Sequence, residues 1–242
     1  MRATLGAALL AAVAAVAAAM ASVTPFSTAA PGAAMPGAWE RVALTRGKAA
    51  EMTLVEEGGR TVARIRAEAA AGSLAHALEP AIAREARLRW QWKVDRVVSG
   101  ADLSKREGDD FAARVYVTFE IPDDALTVWE RARLALVRLV YGHRVPAAAI
   151  CYVWDNKHPV GTSAWNAYTG QVRMVVVESG PERVNTWREA QRDVIADFRA
   201  AFGSRYPGAL PRVSGVAVSS DTDQTGDSVT AWFGDLVLER RP

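Results

Sequence analysis

From Ala86 to Asp95 the chain alternates without a break. Positions 86, 88, 90, 92 and 94 are Ala, Leu, Trp, Trp and Val, while 87, 89, 91, 93 and 95 are Arg, Arg, Gln, Lys and Asp. Successive side chains on a strand point to opposite faces, so this stretch reads as a half-buried strand with two indoles on its core face. The pattern returns from Phe111 to Ile121. There Phe111, Ala113, Val115, Val117, Phe119 and Ile121 point inward, and Arg114, Tyr116, Thr118 and Glu120 occupy the other face. On the convex side of a sandwich that second row would be plain surface. On the concave side it would be a binding platform.

Shorter apolar runs flank these two. Met52–Leu54, Val62–Ala67 and Leu74–Leu78 are separated by Gly58-Gly59 and Ala71-Gly72, the spacing of consecutive antiparallel strands. Ala148–Trp154, Val172–Glu178, Val213–Ser220 and Val229–Glu239 add further strands. Two helices are expected. One runs from Leu126 to Tyr141, amphipathic and Arg-bearing. The other follows a capping-box pattern, Thr186-x-x-Glu189, with Trp187, Val194, Ile195, Phe198 and Phe202 at helical spacing and Gly203 ending it. There is no βαβ alternation and no internal repeat. The fold class is mainly β, an antiparallel β-sandwich or jelly roll with one or two peripheral helices, in a single domain over residues 38–242.

Residues 1–21 hold Arg2, an Ala/Leu/Val run and Ala19-Met20-Ala21, the pattern of a secretory signal peptide with an N-terminal membrane anchor as its alternative. Export, to the periplasm, is the expectation. Residues 22–37 are rich in Ala, Pro, Gly and Ser and read as a disordered lead-in. Without the leader, 28 basic residues face 27 acidic ones, since only Arg2 is lost from the 29 in the chain. A surface so nearly balanced, with no basic run interleaved with aromatics, excludes a nucleic-acid partner. Cys151 is the single cysteine, so no intramolecular disulfide exists, and its apolar neighbours mark it as a buried, inert thiol.

Polar chemistry concentrates in Asp221-Thr222-Asp223-Gln224-Thr225-Gly226-Asp227-Ser228. Asp221, Asp223, Thr225 and Asp227 stand at alternate positions, as oxygen ligands do at the start of an EF-hand loop, which makes Ca²⁺ a possible cofactor. Trp232 stands where the bidentate Glu of such a loop belongs, and the flanking runs are strands. The competing reading is a hairpin whose Asp and Thr side chains bond local backbone N–H groups. Asp109-Asp110 precedes Arg114 and Tyr116, and Asp235 follows Gly234 in an otherwise apolar strand. Trp154-Asp155-Asn156 opens a long loop that also holds Trp165 and Tyr168, rings able to stack on a sugar. No HExxH, P-loop, dinucleotide fingerprint or nucleophile elbow is present.

Trp90-x-Trp92-Lys93-Val94, Asp109-Asp110-Phe111-Ala112-Ala113-Arg114-Val115-Tyr116-Val117, Tyr152-x-Trp154-Asp155-Asn156-Lys157-x-Pro159-Val160-Gly161, Val175-Val176-Val177-Glu178-Ser179-Gly180, Asp221-Thr222-Asp223-x-Thr225-Gly226 and Trp232-Phe233-Gly234-Asp235 together resemble the bacterial family called domain of unknown function 3047. The resemblance implies one exported β-sandwich domain and no defined activity. The last loop and strand are also similar to the corresponding edge of galactose-binding-like jelly-roll carbohydrate-binding modules. The first expectation is thus a periplasmic binding domain for a carbohydrate or cell-envelope ligand, with Asp110, Arg114, Tyr116, Trp154, Asp155, Asn156, Asp221, Asp223 and Asp235 forming the site. A second is an envelope glycan hydrolase using Asp110 and Asp235 as paired carboxylates. A third is a scaffold that meets a membrane or partner through Leu126–Tyr141.

Overall fold

The computed structural model describes residues 23–42, 47–82, 84–129, 131 and 146–241. The expected leader and nearly all of the expected helix from Leu126 to Tyr141 lie outside them. Thirteen strands carry the described chain: β1 (Trp39–Arg41), β2 (Glu51–Glu57), β3 (Arg60–Glu68), β4 (Ala71–Ile82), β5 (Glu85–Val94), β6 (Arg114–Glu120), β7 (Ala148–Asp155), β8 (Ser163–Asn166), β9 (Thr169–Ser179), β10 (Arg188–Asp193), β11 (Arg212–Asp221), β12 (Ser228–Phe233) and β13 (Val237–Arg241). One α-helix, α1 (Val194–Phe202), covers part of the sandwich. Among the described residues no helix is long and apolar enough to cross a membrane.

The strands form two sheets, which make the expected β-sandwich. One has seven strands in the order β1-β4-β11-β6-β7-β9-β8; the other runs β10-β5-β12-β3-β2, with β13 also paired to β5. Among the described residues all pairings between these strands are antiparallel except one. β9, not β8, lies beside β7 and runs parallel to it, so the chain crosses back along the sheet edge as β8 before turning into β9.

The alternation on β5 behaves as its pattern requires. Ala86, Leu88, Trp90, Trp92 and Val94 are all buried, opposite Val115, Val117 and Phe119 of β6. Trp90 meets Trp92 edge-on at 5.5 Å and stacks on Tyr152 at 5.2 Å, and Trp92 lies 5.8 Å from Trp154. This aromatic row joins the two sheets. Withdrawing one such ring from water is worth about 4–6 kcal/mol, from 150–250 Å² at 25 cal/mol per Å².

Two expectations are corrected. The Thr186-x-x-Glu189 capping box starts no helix, because the sequence there becomes β10 and completes the sheet edge beside β5. The helix begins at Val194, where the Asp193 carboxylate accepts from the N–H groups of Ile195 (3.1 Å) and Ala196 (3.0 Å). Pairing with β5 satisfies a row of backbone groups that an earlier helix start would leave open, so tertiary context overrides the local pattern.

The second correction is the lead-in. Residues 23–37 pack on the sandwich instead of hanging free. Phe26 is fully buried and stacks on Trp39 at 4.5 Å. The indole N–H of Trp39 donates to the Thr24 carbonyl at 2.7 Å. Thr24 N–H donates to His76 Nε2 at 3.1 Å, which makes that nitrogen the acceptor of a neutral imidazole. Burial lowers the His76 pKa, in keeping with that role. A segment of low apolar content is thus held by one ring and one imidazole.

The expected strand from Val213 to Ser220 is present as part of β11, with a β-bulge near its start. Val213 and Val216 both face the core, although residues three apart on a regular strand face opposite ways. Against β6 the register steps from Val213↔Phe119 to Gly215↔Thr118, so Ser214 is the extra residue and restores the parity, whereas against β4 the extra residues lie between Ala77 and Ala81 of β4. Gly215 is needed there, since a Cβ would lie 3.0 Å from both the His76 carbonyl and the Thr118 hydroxyl.

Phe26→Ala is expected to destabilise the protein by up to about 3–5 kcal/mol in denaturant titration; an unchanged midpoint would mean the lead-in contributes nothing. The His76 pKa lies below 6.5, the ordinary value, so the unfolded chain takes up that proton first as pH falls. Stability from this contact is therefore complete above about pH 6.5 and is lost on acidification. From about pH 7 to pH 5 the parent should lose more stability than His76→Gln; equal slopes would remove His76 as the acid-sensitive contact.

Candidate functional site

Three connections meet at one end of the sandwich. Residues 95–113 lead from β5 to β6, residues 156–162 from β7 to β8, and residues 222–227 from β11 to β12. The first and third pass from one sheet to the other. Asp110 links these two: its Oδ2 accepts from Gln224 N–H at 3.0 Å and Thr225 N–H at 2.6 Å. Asn156 Nδ2 donates to the Ser99 carbonyl at 2.8 Å, and Lys157 Nζ lies 3.1 Å from Asp102 Oδ2, which attaches the second.

Arg114 opens β6 at the centre of this junction with only 3 % of its surface exposed. Its Nε donates to Asp221 Oδ1 at 3.0 Å and its Nη2 lies 2.6 Å from Asp221 Oδ2, a two-pronged pair. Nη1 reaches Asp109 Oδ1 at 3.2 Å and Tyr116 Oη at 3.3 Å, and Nη2 also donates to the Asp109 carbonyl. Asp109 Oδ2 in turn accepts from Asn166 Nδ2 at 2.9 Å, and Asp221 Oδ1 accepts from Phe111 N–H at 3.0 Å. Desolvation, the largest single influence, lowers the Arg114 pKa, but Asp221, Tyr116 and Asp109 together outweigh it and hold the guanidinium well above its usual range. Burial pushes the Asp221 carboxyl up to about 7 against the pull of Arg114, with Asp110 and Asp109 adding like charge. Asp110 is also raised, first by burial and then by Asp223, while the Thr225 bonds oppose the shift.

The structure therefore gathers Asp110, Arg114, Tyr116, Asp221 and Asp223, and adds Asp109. It does not gather the others. Trp154 is a core residue whose indole N–H donates to the Gly180 carbonyl at 3.2 Å. Asp155 is buried within its own turn, accepting from Lys157 N–H at 2.7 Å and His158 N–H at 2.6 Å. Asn156 joins loops as described. Asp235 belongs to the other sheet's outer side, bonded to Ser27 through N–H (3.0 Å) and hydroxyl (2.6 Å). It pairs with neither Asp110 nor Arg114. Trp165 and Tyr168 are 42 % and 54 % exposed, but Trp165 packs on Phe202 at 5.3 Å and Tyr168 donates its hydroxyl to the Arg106 carbonyl. Cys151 is buried, with its thiol pushed up to about 12 by desolvation, so it is no nucleophile.

The alternate-residue metal reading also changes. Asp227 uses Oδ1 on Ser228 N–H at 2.7 Å and Oδ2 on Ser99 N–H at 3.4 Å, and Thr225 Oγ1 accepts from Asp227 N–H. These two residues are occupied with backbone N–H groups of the loop itself and of Ser99, as the competing hairpin reading expects.

A second feature begins at this junction. On the outer face of the seven-stranded sheet, β4 presents Ala71, Ser73, Ala75 and Ala77, and β11 presents Gly215, Ala217, Ser219 and Asp221 beside them. Arg114, Tyr116, Thr118 and Glu120 of β6 rise on one side, and Glu40 of β1 on the other. The result is a valley with a floor of small side chains between taller polar walls. Its far end opens into a cavity of about 240 Å³ lined by Glu40, Ala75, Ala77, Thr118, Glu120 and the bulged Ser214. Thr118 and Ser214 hydroxyls lie 3.1 Å apart there. Sequence reasoning found the β6 wall and missed the floor. The available signal was the every-second-residue run of Ala, Ser and Gly in both strands.

Residues 37–237 match the family described as protein of unknown function (DUF3047). The chain belongs to that family. No curated protein matches this DUF3047 member. Among solved structures it is similar to the endo-1,4-β-glucanase CelB2, with 11 % identity and a TM-score of 0.45 over 81 % of this chain and 89 % of that one. It is similar to a family 12 xyloglucanase from Bacillus licheniformis, with 9 % identity and a TM-score of 0.45 over 78 % and 86 %. A third is TmCBM61 in complex with β-1,4-galactotriose, with 7 % identity and a TM-score of 0.35 over 84 % and 88 %. At such scores these overlaps carry no statement about what the DUF3047 chain binds.

Arg114→Met should destabilise the protein by about 3–5 kcal/mol, because it strands two buried carboxylates. Asp223→Asn, at an exposed position, should stay within about 0.5 kcal/mol of the parent. Parallel urea titrations read both; an Arg114→Met midpoint equal to the parent's would refute the assigned role of the guanidinium.

Proposed function

We propose that this protein is an exported binding domain whose ligand is an extended, hydroxyl-rich chain of the cell envelope, a glycan, lying along the valley of the seven-stranded sheet. The observation that carries the reading is the valley itself. From Gly215 to Asp221 its floor runs for about 20 Å at the rise of a strand. From Gly215 to Ser219 side chains of no more than two heavy atoms leave the sheet backbone open to a flat polymer. The floor supplies hydroxyls from Ser73 and Ser219, and its edges supply those of Thr118 and Ser214 and the carboxylates of Glu40 and Glu120, groups that match sugar hydroxyls as donors and acceptors.

Binding is favoured over hydrolysis on the same geometry. Asp110 and Asp235 sit on different faces, so they make no catalytic pair. Glu40 and Glu120 rise on opposite sides of the cavity, from strands three spacings, about 14 Å, apart at the backbone. Export rests on the leader pattern of residues 1–21, and N-terminal sequencing of protein recovered from the periplasm should begin at Ser22.

Ala217 stands mid-floor and half-buried, so Ala217→Arg fills the valley without entering the core. On an array of envelope glycans this variant should lose about tenfold or more in affinity for whatever the parent retains, and Ala217→Ser should keep it. Equal retention by parent and Ala217→Arg would place the ligand elsewhere.

A further inference from the structure

The junction holds an arrangement that the valley does not use. One oxygen from each of Asp110, Asp221 and Asp223 lies within 4.8 Å of the other two. Acidic clusters are common without an ion, so proximity alone decides nothing. Asp110 supplies the independent observation. It is fully buried, with 0 % of its surface exposed, and its Oδ1 has no hydrogen-bond donor. Its Oδ2 is already taken by two N–H groups of the acidic loop. A buried carboxylate oxygen without a partner costs free energy that a native fold rarely leaves unanswered. No neighbouring side chain of opposite charge answers it: Arg114 is committed to Asp221 and Asp109. Four carboxylates, Asp109, Asp110, Asp221 and Asp223, thus face a single guanidinium.

We propose that Asp110, Asp221 and Asp223 hold a divalent cation of the Ca²⁺ class. The ligand set is all oxygen and anionic, which suits a hard cation rather than Zn²⁺ or Cu²⁺. Two ligands on opposite sides of Ca²⁺ stand up to about 4.6–5.2 Å apart, twice the bond length of about 2.3–2.6 Å, so carboxylates spaced up to 4.8 Å fit around it. Mg²⁺ allows only about 4.2 Å and demands a regular octahedron. The set differs from the alternate-residue pattern of the loop: Thr225 and Asp227 drop out, and Asp110 enters from the other crossing connection. The cation would thereby tie the two connections that pass between the sheets. Its recognition involves no glycan and stands independently of the valley.

The test is calorimetric titration of chelator-treated full-length mature protein with CaCl₂ and with MgCl₂, together with unfolding temperatures across the same concentrations. One Ca²⁺ per chain is expected, bound tighter than Mg²⁺, with an unfolding temperature that rises with Ca²⁺ concentration. Asp223→Asn is exposed and should fold normally while weakening Ca²⁺ about tenfold or more. Asp110→Asn, which keeps an acceptor for Gln224 and Thr225, should do the same, its fold checked by circular dichroism. Asp227→Asn should bind as the parent does. Absence of Ca²⁺ binding by the parent, or undiminished binding by Asp223→Asn, overturns the proposal. Loss in Asp227→Asn with retention in Asp223→Asn would also overturn it, in favour of a site built from the loop alone.

Discussion

A guanidinium cannot be buried without compensation, and the end of this sandwich is arranged around that requirement. Arg114 sits at the first position of β6 because the outward row of the strand begins there. From that point its fork reaches β11 through Asp221 and the preceding connection through Asp109. Either carboxylate alone would leave donors unpaired in a site with little water. Meeting both forces the 95–113 connection to fold back over the sheet, and the same fold brings Asp110 against the acidic loop. The polar junction is therefore one interdependent unit, and a change in any member reaches the others through Arg114.

The valley follows from a different constraint, the choice of small residues on two neighbouring strands. Ala and Gly are poor strand formers, since they offer little to pack on a pleated surface. Here their partners compensate from the opposite face: Leu74 and Leu78 on β4, and Val213, Val216 and Val218 on β11, all buried in the core. Each strand is thus held by one face and left bare on the other. At Gly215 the small residue is required by the His76 carbonyl and the Thr118 hydroxyl, but at Ala75, Ala77 and Ala217 a sheet that only had to be stable would carry Thr, Val or Tyr, so the bareness there has no structural return. It is the strongest reason to assign that face to a ligand.

Much of the fold was legible in the sequence because strand periodicity is local and strong in Ala86–Asp95 and Phe111–Ile121. The places where reading failed share a cause. The lead-in has the composition of a disordered tail, and its order comes from Phe26 stacking on Trp39, Thr24 bonding His76 and Ser27 bonding Asp235, contacts that no local pattern announces. Trp187 begins no helix because β5 offered it a sheet edge. Trp154 and Asp155 looked like ligand groups because they open a long loop, yet both lie at the end of a strand whose eight residues are all buried. Of the residues expected to form a site, Asp110, Arg114, Tyr116, Asp221 and Asp223 lie together in the fold, and Asp235 lies apart from them. Its carboxylate found a local partner in Ser27, a residue of the segment expected to be disordered. One error produced the other.

The bulge at Ser214 links the core to the valley. Without it, Val213 in the core would place Gly215 and Ala217 on the core side and turn Val216, Val218 and Ser220 outward. Asp221 would then point into the apolar interior, away from Arg114. One extra residue reverses the parity for the rest of β11, so the row that forms the valley floor ends on the carboxylate that neutralises the guanidinium. The same insertion delivers the Ser214 hydroxyl into the cavity beside Thr118. Core packing, the open floor and the ionic junction thus depend on a single register, and a slip of one residue would remove all three together.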